Sequence, residues 1–127
     1  MEKETEIQNF VKKVESLSLS RFLNYCLYKK NHGYYQKNKI GNDFITAPEI
    51  SQMFGECVSI FIVNFLKKFH INNICELGPG NGTLSKDIIR VLGKIIDTNL
   101  NFYLYEKSQY LRSIQYNLLK SKGNSKI

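Results

Sequence analysis

The chain has 127 residues, of which 43% are hydrophobic and 23% charged, enough for one domain and too few for two. This balance excludes wholesale disorder, and no apolar run reaches the length that spans a bilayer, so no membrane role is expected. The net charge of +7 comes from lysines scattered along the whole chain, which reads as a solvated surface more than as a nucleic-acid footprint.

The opening "MEKETEIQNF" is acidic, lacks arginine and has no apolar signal core. It resembles neither a secretory signal nor a mitochondrial transit peptide, so a cytoplasmic location is expected. Cys26, Cys57 and Cys75 are widely spaced among apolar neighbours, with no CxxC and no His/Cys cluster. Neither a metal nor a disulfide is expected, and the thiols read as buried and reduced.

In chain order, Ile7, Phe10, Val11, Val14 and Leu17 carry the three-and-four spacing of an amphipathic helix over residues 5–17. A second helix starts near Ser18 or Ser20, buries Phe22, Leu23, Cys26 and Leu27, and stops before "KKNHGYY", where Asn31 and Gly33 break the pattern. Residues 34–45 read as irregular chain or a short hairpin, with "IGND" as the turn.

"TAPEISQMFGE" predicts a helix start, with Thr46 as N-cap, Glu49 completing a capping box and Pro48 in the first turn. This helix should run to about Phe69 behind a wide stripe of Ile50, Met53, Phe54, Cys57, Val58, Phe61, Phe65, Leu66 and Phe69, which predicts deep packing. Lys67, Lys68 and His70 suit its C-terminal end, and His70 reads as a helix-end residue, not a ligand.

"INNICELG" reads as a short buried strand ending at Leu77, and "TLSKDIIRVLGKI" as a helix from Thr83. "NFYLYE" (101–106) is a second strand, followed by the helix "SQYLRSIQYNLLK" with Ser108 as cap and a polar, frayed tail, "SKGNSKI". Helices first, then strand–helix–strand–helix, imply an α/β fold with a parallel sheet.

The chemistry concentrates in "ICELGPGNGTLSKDI" (74–88). A strand, a glycine-rich turn, a helix and an acid ending the next strand form the nucleotide-cofactor arrangement of doubly wound sheets. No Lys-Ser or Lys-Thr follows the loop, so it is not a phosphate-cradling P-loop. A dinucleotide fingerprint needs glycine at position 83, where Thr83 stands, and a nicotinamide oxidoreductase is set aside. The spacing Glu76, Gly78, Gly80, Gly82 is the form typical of loops for S-adenosylmethionine (SAM). SAM has no phosphate but carries an ammonium and a sulfonium, so Glu76 can offer a charge-assisted partner. Glu106 is placed to accept hydrogen bonds from the two ribose hydroxyls.

"GYY" (33–35), "DFITAPEISQMFGE" (43–56), "ELGPGNGTLSKDI" (76–88) and "YEKSQYLRSIQ" (105–115), in that order, together resemble the MidA-type SAM-dependent methyltransferases. These are relatives of a mitochondrial complex I assembly factor that methylates a protein arginine. The resemblance runs from about Leu19 onward. It implies a helical segment and loop over residues 1–45, then a long helix and the first βαβα of a Rossmann-like methyltransferase domain over 46–127, truncated. SAM would lie on Gly78, Pro79, Gly80 and Gly82, with Glu76 and Glu106 in their acidic roles. Asp43, Thr46, Glu49 and Ser51 would border the pocket, although capping and packing explain Thr46 and Glu49 equally well.

The sequence departs from the family pattern in three respects. Asn42 stands where the family has glycine, and asparagine tolerates the left-handed conformation, so the turn is expected to survive. Asn81 replaces a frequent arginine. Family members are also much longer, and the later strands that flank the first are not in this sequence. A two-stranded sheet has open edges that invite a complementing C-terminal chain or self-association. No residue that would bind the methyl acceptor, a protein in the family, is identified. A rival reading takes "YKKNHGYYQKNK" (28–39) as an interaction surface whose tyrosines and lysines bind single-stranded nucleic acid.

Overall fold

In a computed structural model, residues 5–14, 16–96 and 99–120 are described; the tail "SKGNSKI" lies outside them. The elements are α1 (Glu6–Lys12), α2 (Leu19–Tyr28), a 3-10 turn (Tyr34–Gln36), α3 (Ala47–Ile50), α4 (Gln52–Phe69), β1 (Asn73–Leu77), α5 (Thr83–Ile95), β2 (Asn101–Tyr105) and α6 (Gln109–Lys120). β1 and β2 pair in parallel, with Asn73 opposite Asn101 and Leu77 opposite Tyr105. The fold is thus α/β, with α5 as the connection between the two strands. Among the described residues no helix is long and apolar enough to cross a membrane.

The core lies between α4 and α5. Val63 and Leu66 of α4 meet Ile88 and Leu92 of α5, with Ile74 of β1 and Phe102 of β2 packed against them. The two helices approach closely at Gly55, where an added Cβ would stand 2.6 Å from the Asp87 Cβ. The Ser59 hydroxyl beside it is buried and donates to the Gly55 carbonyl at 2.6 Å. Arg90 of α5 then bridges Glu56 at 2.9 Å and Asp87 at 3.5 Å. Hydrogen bonds from Gln52 and Arg90 hold the Glu56 carboxyl below the usual carboxylate range.

Several helix ends follow their local chemistry. Ser18 caps α2 by accepting from the Arg21 N–H. Ser108 caps α6, its hydroxyl accepting from the Leu111 N–H at 3.1 Å. His70 closes α4 in the left-handed conformation, φ 53°. Residues 40–43 do turn, but no strands flank them, so the segment is not a hairpin.

Other expectations are corrected. The helix from Thr46 to Phe69 is two helices, because Ser51 adopts extended φ and ψ and caps α4 by accepting from the Met53 N–H. Thr46 starts α3 without a side-chain cap bond, so there is no capping box; the Glu49 carboxylate is engaged elsewhere. α1 ends at Lys12, short of residue 17, and α2 buries no residue fully. The α4 stripe is not deeply packed: Phe61 is 64% exposed and Met53 68%. Its apolar arc is wider than α5 alone can cover. The exposed rings of Phe61, Phe65 and Phe69 instead lie against one another, with centroids 4.8 and 5.7 Å apart. β1 is half-buried, not buried, since α5 covers one face of the sheet while Leu77, Tyr103 and Tyr105 of the other face stay exposed. For the same reason the thiols are not buried: Cys57 and Cys75 are exposed and Cys26 is half-buried, all three free. The left-handed residue of the 40–43 turn is Gly41, φ 107°, not Asn42.

Gly55→Val is expected to lower stability by about 1–3 kcal/mol through overpacking against Asp87. Gly93→Ala, in the same helix pair but with no atom near the added Cβ, is expected to raise it by about 1 kcal/mol. Urea denaturation of the two variants checks both the signs and the contrast.

Candidate cofactor cleft

Past Leu77 the ladder continues for one residue, the Gly78 N–H donating to the Tyr105 carbonyl at 2.9 Å. The chain then turns through three left-handed glycines, Gly78, Gly80 and Gly82, at φ 68°, 59° and 86°. An L-residue would cost about 1–2 kcal/mol at each, so the alternating glycines are a conformational requirement. A Cβ on Gly78 would meet nothing within 4 Å, because that position faces the cleft, whereas one on Gly82 would come within 3.1 Å of Gln115.

Three partners hold this loop. From α6, Gln115 donates its Nε2 to the Gly80 carbonyl at 2.7 Å. The buried Asn81 amide donates to the Ile40 carbonyl at 2.6 Å and accepts from the Ile40 N–H at 3.0 Å. It also donates to Glu49 at 3.1 Å, and the Thr83 hydroxyl donates to the same Glu49 oxygen at 2.7 Å. An irregular segment far away in sequence thereby gains partners for both its backbone polar groups.

The space between loop, strand ends and residues 40–49 is a cleft of about 870 Å³, within the range of small-molecule sites. Glu76, Gly78, Pro79, Gly80, Glu106, Thr46 and Glu49 all line it. Gly82 stands behind the lining as N-cap of α5. Asp43 and Ser51 lie outside the lining: Asp43 accepts from the Tyr34 hydroxyl at 2.6 Å and Ser51 caps α4. The Glu76 carboxylate points inward from β1 and accepts from the Ser85 hydroxyl; burial pushes its pKa up, against the lowering effect of that bond. Glu106 follows β2 directly and accepts from the Ser108 N–H at 2.8 Å.

Sequence reasoning missed Asn81 as the tie and Gln115 as the loop's second anchor. A lone amide inside a glycine loop was the available signal for the first. Gln115 sits mid-helix with no local signal at all.

The family described as S-adenosyl-L-methionine-dependent methyltransferase (Methyltransf_28) matches residues 57–127, more than half of the chain. The chain belongs to this methyltransferase family. Among this family member's relatives, the mitochondrial protein arginine methyltransferase NDUFAF7 of Danio rerio is 36% identical over 109 residues, 78% of this chain and 26% of the relative. The Homo sapiens protein of that name is 36% identical over 115 residues, 83% of this chain and 26% of its own length. A crystal structure of a COG1565 superfamily member from Burkholderia thailandensis, bound to S-adenosyl-homocysteine (SAH), superposes with a TM-score of 0.72 and 26% identity, over 84% of this chain and 30% of that one. The chain spans about a quarter of the length of the curated relatives it matches.

The expected cytoplasmic location is corrected by the same comparison. The relatives from Danio rerio, Rattus norvegicus and Homo sapiens are mitochondrial proteins. The acids and missing arginine of the first ten residues bear only on those residues.

Because burial raises the Glu76 pKa above its unfolded value, the folded state holds that proton more tightly, and stability falls as pH rises from about 4, the ordinary carboxylate value, through the raised one. Glu76→Gln is expected to remove that fall, so its denaturation midpoint relative to the parent should climb between acid and neutral pH. Asn81→Ala is expected to cost about 1–3 kcal/mol by leaving Ile40 unpaired, read from the same denaturation curves.

Proposed function

We propose that this chain supplies the SAM-holding part of a protein methyltransferase whose acceptor is an arginine side chain. The observation that carries the reading is the run of left-handed glycines at 78, 80 and 82 opening into a cleft between two carboxylates. Family membership and the SAH carried by the Burkholderia thailandensis structure support it. The names of the Danio rerio and Homo sapiens relatives support arginine on a protein as the acceptor class.

When bound, SAM supplies a methyl group on a sulfonium, open to in-line displacement by a nucleophile. The chain's own residues bind and orient. Gly78 lets the ligand approach the backbone without a Cβ in the way. Glu76 would attract the ammonium, whose positive charge offsets the cost of keeping the partly buried carboxylate ionised. Glu106 accepts from the ribose hydroxyls. Among the described residues, the charged lining of the cleft is Glu49, Glu76, Glu106 and Lys107. This acidic excess suits a cationic ligand. Among second-tier positions, Glu49 works through the loop: it holds Asn81 and Thr83 in place.

Calorimetric titration with SAM is expected to show weak binding and no methyl transfer by the chain alone, because among the described residues the sheet has only two strands, a marginally stable arrangement. Glu76→Gln and Gly78→Val should each weaken binding at least about tenfold, a loss of roughly 1.4 kcal/mol. Unchanged affinity in both variants would overturn the cofactor assignment.

A further inference from the structure

The tyrosine-rich stretch 28–39 is the one motif that the cofactor reading leaves over. In the fold it is part of the cleft. Tyr28, the last residue of α2, and Tyr35, in the 3-10 turn, both line it, with ring centroids 5.7 Å apart and planes inclined by 34°. They stand beside the residues that follow β2. The Ser108 hydroxyl donates to the Tyr35 carbonyl, and the Lys107 Nζ lies 4.5 Å from the Tyr28 ring centroid. Burial, then the nearby charge of Glu106, raises the Tyr28 phenol pKa. The Tyr34 ring meets Tyr35 edge-on at 5.0 Å and 87°. Tyr34 is itself fixed by donating to Asp43, a bond that holds its phenol up at about 12.

We propose that Tyr28 and Tyr35 form the aromatic wall on which the adenine of the cofactor lies, making residues 28–39 a platform for a single nucleobase. The proposal rests on the SAM reading and extends it to residues outside the 57–127 stretch that the family matches. If Glu106 accepts from the ribose hydroxyls, the base sits one sugar away, and Tyr28 and Tyr35 line the same cleft, with Tyr28 near enough to Glu106 to feel its charge. Aromatic faces take a purine by stacking. A nucleic-acid strand fits the same rings poorly, since a phosphodiester would enter a cleft whose charged lining is three glutamates and one lysine. Asp43, outside the lining, then acts as a positioning residue through Tyr34.

The test titrates the parent chain, Tyr28→Leu, Tyr35→Leu and Tyr35→Phe with SAH and with adenosine, following the adenine proton resonances by NMR. Both leucine variants are expected to lose about tenfold in affinity for either ligand, while Tyr35→Phe keeps parental affinity. In the parent, the adenine protons should move upfield from ring current, a readout that needs no variant to fold. Leucine variants that bind like the parent, or adenine protons that do not shift on binding, overturn the wall while leaving the effect of Glu76→Gln, and hence the SAM reading, intact. A parent that takes neither ligand overturns both. Binding of single-stranded oligonucleotide that is lost in Tyr35→Leu, with no adenosine effect, would return the motif to nucleic acid.

Discussion

The Asn81 amide joins two segments that the chain separates by 41 positions, and the geometry of the cleft follows from that tie. By taking both backbone groups of Ile40, it replaces the partners that a strand would have given an irregular loop. By donating also to Glu49, it brings α3 against the start of α5. The side chain of Ile40 then sits over Gly80, 3.1 Å from where a Cβ would be, so the glycine there serves close approach as well as backbone conformation. The Thr83 hydroxyl, donating to the same Glu49 oxygen, is a second link between the 40–49 wall and the end of the glycine loop.

Charge and burial are arranged around that joint in opposite senses. Glu56, half-exposed and bonded to Arg90 and Gln52, is held ionised. Glu76 is partly desolvated and accepts from the Ser85 hydroxyl, and burial disfavours its ionised form. The first acid stabilises the α4–α5 contact; the second lines the cleft. The two carboxylates are pushed in opposite directions by their surroundings alone.

The same packing leaves two apolar surfaces uncovered, the aromatic row of α4 and the outer sheet face of Leu77, Tyr103 and Tyr105. Both are legible in the sequence as apolar patterns, and of these the α4 stripe and the first strand read there as buried. The pattern reports which face is able to pack; it does not report whether a neighbour is there. In a parallel sheet the apolar run of each strand assumes cover on both sides, and one helix supplies it on one side only. The exposure of Cys57 and Cys75 has the same origin.

The amino-acid sequence by itself determined what depends on local chemistry. The glycine spacing permits three left-handed positions, serines 18 and 108 cap their helices, and the apolar periods set the order of strands and helices. It also placed Glu76 and Glu106 at strand ends beside that loop. The tertiary structure alone decided the rest: that Glu49 serves the glycine loop and not a capping box, that Asn81 and Gln115 anchor the loop, and that Tyr28 and Tyr35 turn inward. These are contacts between residues far apart in sequence, and their energy appears only when the chain has folded them together.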